Sequence, residues 1–204
     1  MHQYRGKMII HTGSMFSGKT SSLWKDLNRF SIAGYDTVVF KPVLDERYGR
    51  NQITTHDNNT MEAISIEKVE DIVSYLEHHE TDIIGIDEIQ FLQSKALEVC
   101  DVLEDLLKKD YTIVVAGLDM DFEAKPFEIM KELMPKADYL NKHHAVCSDC
   151  GTDAWVSFRF SNEKDRIQIG ASESYRPLCR RCYMMQQDIK KSQKDQIVID
   201  EMMK

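Results

Sequence analysis

Gly13, Ser14, Met15, Phe16, Ser17, Gly18, Lys19 and Thr20 spell G-x-x-x-x-G-K-[ST], and that string leaves little freedom in what surrounds it. Such a loop works as the turn between a buried strand and a helix, where successive backbone N–H groups converge on one anion. The apolar run Met8-Ile9-Ile10 precedes it, and Leu23, Leu27 and Phe30 follow at helical spacing. The helix starting there adds the positive end of its dipole. Lys19 has the reach for β- and γ-phosphates, and Thr20 has a hydroxyl for Mg²⁺. The pattern predicts a nucleoside triphosphate site.

The rest of the first 142 residues continues the rhythm that such a loop requires. Short apolar strands are expected at 36–40, 82–86 and 111–116, with helices over 67–79 and 94–109. The second of these helices is expected to bury Leu97, Val102, Leu103, Leu106 and Leu107. Strands without polar alternation, separated by helices, predict a parallel sheet covered on both faces. Residues 43–60 are polar and aperiodic and read as a long mobile loop. The fold class is therefore α/β, a P-loop (RecA-like) parallel sheet over 1–142. A small zinc-binding subdomain is expected over 143–190 and a C-terminal tail over 191–204.

Ile83-Ile84-Gly85-Ile86 delivers Asp87 and Glu88 to the carboxyl edge of that sheet, where the phosphate loop also lies. Asp87 suits the Mg²⁺ sphere, directly or through water. A free glutamate, with a pKa near ~4.3, is ionised at neutral pH, so Glu88 could accept a proton from an attacking hydroxyl.

Cys147 and Cys150 form one C-x₂-C knuckle, and Cys179 and Cys182 form a second after 28 intervening residues. Two knuckles predict a closed tetrahedral S₄ site for structural Zn²⁺. Closed coordination leaves no position for substrate, so this metal serves folding. A redox C-x-x-C explains one knuckle but not two. Cys100 falls within the helix at 94–109 and is expected to be buried. Residues 151–178, tied at both ends, read as an anchored loop over a small ligand.

The chain has 204 residues, a net charge of −8 and 42% hydrophobic residues, enough for a core and unlike a nucleic-acid binder with a basic face. No apolar run approaches the ~18 residues of a membrane span. Residues 1–7 lead into no signal-peptide stretch, so the expected location is cytoplasmic. Five cysteines then read as thiols.

Taken in order, these strings resemble the zinc-containing cytosolic-type (type II) thymidine kinases from about residue 7 to 183. Met15 to Lys19 is similar to that family's phosphate loop. Lys41-Pro42, Asp45-Glu46-Arg47-Tyr48 and Thr55-His56-Asp57 resemble its mobile loop. Asp87-Glu88-Ile89-Gln90-Phe91, Gly117-Leu118-Asp119, Phe122 and Lys125-Pro126-Phe127 resemble its next segments. Ile169-Gly170, Tyr175 and Cys179 resemble its lasso. Ser14, Ser21-Ser22, Gln168 and Gly170-Ala171 depart from the usual pattern, the last two in the lasso.

The resemblance implies transfer of the ATP γ-phosphate to the 5′-hydroxyl of thymidine. Glu88 would be the general base and Arg47 would orient the hydroxyl or the moving phosphate. Gln90 would join the phosphate loop and Asp87 in the ATP site. Met15, Asp45, Phe91, Phe122, Phe127 and Tyr175 would form the nucleoside site. It further implies a homotetramer, dTTP as feedback inhibitor, and neither nucleic acid nor membrane as partner. Two other readings stay open at this level. A nucleoside monophosphate kinase would use Arg159, Lys164, Arg166 and Arg176 as an acceptor-phosphate pocket. A P-loop ATPase module would use its zinc ribbon, with Arg180-Arg181, on nucleic acid.

Overall fold

The computed structural model describes residues 3–45, 52–54, 59–161 and 174–202, with the main chain alone from 193 onward. Among them, β1 (Met8–Gly13) leads through the phosphate loop into α1 (Lys19–Ile32), and β2 (Thr37–Pro42) follows. Next come the short strands β3 (Gln52–Thr54), β4 (Thr60–Glu62) and β5 (Ile64–Ile66), then α2 (Glu70–Leu76) and β6 (Ile83–Ile86). The order continues with α3 (Ala96–Lys108), β7 (Thr112–Gly117), α4 (Glu128–Leu133) and β8 (Tyr139–His143). The hairpin strands β9 (Val156–Arg159) and β10 (Tyr175–Leu178) precede the last helix, α5 (Arg180–Met202).

Six strands form one sheet in the order β5-β2-β6-β7-β1-β8, and every pairing in it is parallel. Burial on both faces explains the strand composition. Ile9, Val39, Ile83 and Val114 face Leu23, Leu27 and Phe30 of α1. Their neighbours Ile10, Val38, Ile84 and Val115 face Val99, Leu103 and Leu106 of α3 and Ile129, Met130 and Leu133 of α4. Successive side chains point to opposite faces, so a strand covered twice has no polar position to alternate with.

The close fit of α1 on the sheet depends on Gly85, where an added Cβ would lie 2.6 Å from Leu27 Cδ1. Gly85→Ala is therefore expected to cost about 1–3 kcal/mol by overpacking, read as a shift in urea midpoint at unchanged slope. An unshifted midpoint would mean that α1 yields freely.

Three expectations need revision, and one strand was not foreseen. The segment 43–60 is not all loop: β3 and β4 pair antiparallel, with Ile53 opposite Met61, and β5 follows directly at the sheet edge. These strands are three residues each, too short for a period-2 signal to stand out. The helix expected at 67–79 is only the seven residues of α2. Leu97 is 65% exposed rather than buried, because α3 starts at Ala96 and Leu97 lies in its first turn, off the core-facing stripe. The sixth strand, β8, escaped notice because Tyr-Leu-Asn-Lys-His has no apolar run and four of its five residues are exposed. No helix among the described residues is long and apolar enough to cross a membrane.

Candidate active site

The phosphate loop leaves β1 at Gly13, whose φ of 135° no side chain tolerates well. An added Cβ there would lie 2.2 Å from the His143 carbonyl oxygen of β8, so glycine is required twice over. Gly18 (φ 82°) is the N-cap of α1, which has no side-chain cap and no acidic residue in its first turn. Its leading N–H groups are thus left for an anion. Lys19 is buried and donates to the Ser14 carbonyl at 2.9 Å, folding back over the loop that it would share with phosphate.

β6 and α1 converge at the carboxyl edge of the sheet. The Thr20 hydroxyl lies 3.2 Å from each carboxylate oxygen of Asp87. A hydroxyl facing a buried carboxylate next to a phosphate cradle is a fitting donor set for a hard divalent cation. Glu88 is also buried, and its backbone takes the left-handed conformation (φ 49°, ψ 38°), which turns the chain sharply after Asp87. Non-glycine residues in this region are uncommon and concentrate at functional sites.

Gln90 Nε2 donates to Glu88 Oε2 at 2.6 Å, while Gln90 Oε1 accepts from the Leu118 N–H at 3.0 Å. Both ends of this amide are engaged inside the protein. The structure therefore ties Gln90 to the Glu88 carboxylate. The approach requires Gly117, since a Cβ there would come within 2.8 Å of Gln90 Oε1.

The aromatic residues divide between two walls. Phe91 and Phe127 meet edge to face at 6.0 Å, and Met15 packs on the same apolar cluster. Phe122, in the loop after β7, has the Arg159 guanidinium 3.6 Å from its ring centre. Tyr183 of α5 donates its hydroxyl to the Phe122 carbonyl at 3.1 Å. Tyr175 is buried on β10, opposite Arg159 of β9. Asp45 is buried, and its carbonyl accepts from Lys41 Nζ at 2.8 Å. Arg47 lies outside the described residues, as do Lys164, Arg166, Gln168, Gly170 and Ala171.

Several contacts had no signature in the sequence. Ser157 of β9 accepts from the Met15 N–H at 2.8 Å, so the hairpin touches the phosphate loop itself. Lys41 is 1% exposed and donates to the carbonyls of Asp45 and Gln52, on either side of 46–51. Lys190 of α5 donates to the carbonyls of Arg159 and Ser161. A serine in a strand and lysines near loops are common, and only tertiary contact distinguishes these.

The sulfur atoms of Cys147, Cys150, Cys179 and Cys182 all lie within 4.8 Å of one another, with Cys150 Sγ 3.6 Å from Cys179 Sγ. Tetrahedral thiolates at a Zn–S length of ~2.3 Å would stand about 3.8 Å apart, so the cluster fits that ion. No disulfide joins them. The Thr152 hydroxyl and then its backbone hold the Cys150 thiol down at about 6. The hydrogen bond to Cys179, followed by burial, pushes Cys182 up. Bound metal would replace these shared protons.

Of the four cations offered for an acceptor phosphate, the two among the described residues, Arg159 and Arg176, are otherwise engaged. Arg159 is 1% exposed against Phe122. Arg176 pairs with Asp149 at 3.2 Å and lies 4.6 Å from the Phe160 ring centre. Arg180, which a nucleic-acid reading would use, stacks 3.7 Å from the Trp155 ring centre.

Residues 6–183 match the family model described as thymidine kinase. The thymidine kinase of Rhodothermus sp. (strain ITI 518) is 39% identical over 178 residues, covering 87% of this chain and 81% of the relative. That of Bacteroides fragilis (strain YCH46) is 37% identical over 190 residues, covering 92% and 93%. Among solved structures, the flagellar accessory protein FlaH from Methanocaldococcus jannaschii aligns with a TM-score of 0.49 at 12% identity, over 79% of this chain and 75% of its own. With a family match over nearly the whole length and relatives above 30% identity, this chain belongs to the thymidine kinase family.

Proposed function

We propose that this protein transfers the γ-phosphate of ATP to the 5′-hydroxyl of thymidine, giving dTMP and ADP. The observation that carries the reading is the Thr20–Asp87 contact beside Glu88, which brings the phosphate loop and two carboxylates to one edge of the sheet. The thymidine 5′-oxygen attacks the γ-phosphorus, the bond to the β–γ bridging oxygen breaks, ADP departs, and the hydroxyl proton passes to Glu88. A loose transition state asks for aim more than basicity, and Gln90 holds the Glu88 carboxylate in one orientation. The N–H groups of residues 13–20 and Lys19 bind the triphosphate. Thr20 and Asp87 would hold Mg²⁺, which would supply neutralisation of the negative charge on the phosphates.

In this reading Arg47 orients the acceptor hydroxyl or the transferring phosphate. Met15, Asp45, Phe91, Phe122, Phe127 and Tyr175 enclose the nucleoside. The four cysteines hold structural Zn²⁺. By resemblance the enzyme is a cytoplasmic homotetramer inhibited by dTTP.

Product identification after incubation with ATP, Mg²⁺ and a panel of thymidine, deoxyuridine and dTMP tests the assignment. dTMP from thymidine is the expected result, with deoxyuridine as a second acceptor. Phosphorylation of dTMP alone would establish a nucleoside monophosphate kinase instead. ATP hydrolysis stimulated by DNA and by neither nucleoside would establish the ATPase module.

A further inference from the structure

Behind the phosphate loop runs a chain of three buried or half-buried polar side chains that the proposed reaction does not use. Asp26 of α1 lies 3.0 Å from His11 Nε2, and His11 Nδ1 lies 3.0 Å from His143 Nε2. His11 is 5% exposed, on β1 two residues before Gly13. His143 ends β8 opposite Gly13, the same residue whose carbonyl occupies the space of a Gly13 Cβ. The chain thus joins the helix that follows the phosphate loop, the strand that precedes it and the strand beside it.

The carboxylate settles the proton positions. Asp26 only accepts, so His11 carries its proton on Nε2 and presents Nδ1 as a lone pair. His143 then donates from Nε2. In this arrangement every bond is made, and His143 Nδ1 is left as the outer end. A proton added there charges the chain without breaking it.

We infer that Asp26, His11 and His143 are positioning residues for triphosphate binding, one hydrogen-bonded chain that pins the first turn of the phosphate loop between α1 and β8. This rests on residues 13–20 being a nucleotide site, as proposed above. The groups facing His143 are His11 on β1, Asp26 and Lys19 on α1, and His144 next in sequence. Burial first, then the neighbouring His11, Lys19 and His144, hold His143 below the ordinary histidine range, with Asp26 opposing. A bound polyphosphate offsets the Lys19 charge and favours the proton. By linkage the proton then favours the polyphosphate.

Without ligand the sign is opposite. The unfolded chain binds this proton more readily, so stability declines as pH falls through about 6.5, the unperturbed value.

The test is Mg·ADP affinity by calorimetry from pH 5.5 to 8.5, in buffers of different ionisation enthalpy. Wild type should take up a fraction of a proton near pH 6. Its binding should tighten roughly three- to fivefold more than the nucleotide's own titration explains, as expected for charges about a nanometre apart in a partly polar medium. His143→Leu, which leaves His11 Nδ1 without a donor, should weaken binding about five- to tenfold at pH 8. His143→Gln, whose amide can donate from the same place but cannot titrate, should restore most of that loss without proton uptake.

Leucine and wild-type proteins binding alike at pH 8 would overturn the inference. So would glutamine and wild-type proteins with the same pH profile, a comparison that holds even if the leucine variant fails to fold. Wild type that binds no Mg·ADP at any pH would remove the kinase reading and this inference together. Intact binding with indifferent variants would remove this inference alone.

Discussion

Glu88→Gln is expected to lower kcat for thymidine phosphorylation by about 10²–10⁴-fold, the range for losing a positioned proton acceptor. KM for thymidine should change by less than about threefold, since the lost interaction develops only as the proton moves. The substitution is close to isosteric, and the new amide can present its oxygen to Gln90 Nε2 in place of the carboxylate. Folding is therefore preserved, and urea midpoints should agree with wild type. The distinction matters because Glu88 sits in a left-handed turn at the end of β6, where a shape change would disturb Asp87 as well. Equal kcat in the variant would take Glu88 out of the chemistry. A proportional rise in KM with kcat intact would make it a binding residue. Gln90→Ala offers the complementary measurement: the acid stays but loses its tether, so kcat should fall by less than in Glu88→Gln.

Removing the metal is expected to have the other large effect. Structural Zn²⁺ is worth roughly 10–16 kcal/mol in small zinc-dependent peptides. Here part of that role falls to the apolar cluster of Val156, Phe158, Leu178 and Tyr183, which packs beside the cysteines. Cys179→Ser should lose zinc and lower the thermal midpoint. The six-stranded sheet should persist, because β1, β2, β6 and β7 are buried without help from the knuckles.

The consequence for activity follows from one contact. Ser157 reaches Met15 at 2.8 Å only while β9 is held against the phosphate loop. Loss of the metal should therefore raise amide exchange in β9 and β10 and cut kcat/KM for thymidine by about tenfold or more, the worth of one such hydrogen bond and the packing around it. A serine variant with stoichiometric zinc would refute the four-cysteine site. A zinc-free protein with full activity would show that β9 stays seated without it.

Where a function or an element is written as a dense local pattern, the sequence carried it. The phosphate loop, the strand leading to Asp87 and Glu88, and both cysteine knuckles are local patterns, because a tight turn or a buried strand is specified within about ten residues. The parallel sheet followed from strands with no polar alternation, which only double burial permits.

What stayed illegible depends on residues far apart in the chain. The His11–His143 contact spans 132 positions and Met15–Ser157 spans 142. Each residue alone is an ordinary polar side chain, and no periodicity brings them together. Gln90 shows the same limit within a motif: its position could be named, but not that its amide would join Glu88 to the Leu118 backbone. β8 is the general case, a strand with four exposed residues that exists because β1 offered it a free edge. Local propensity governs which elements form, whereas the close approach of their side chains is settled when the layers pack.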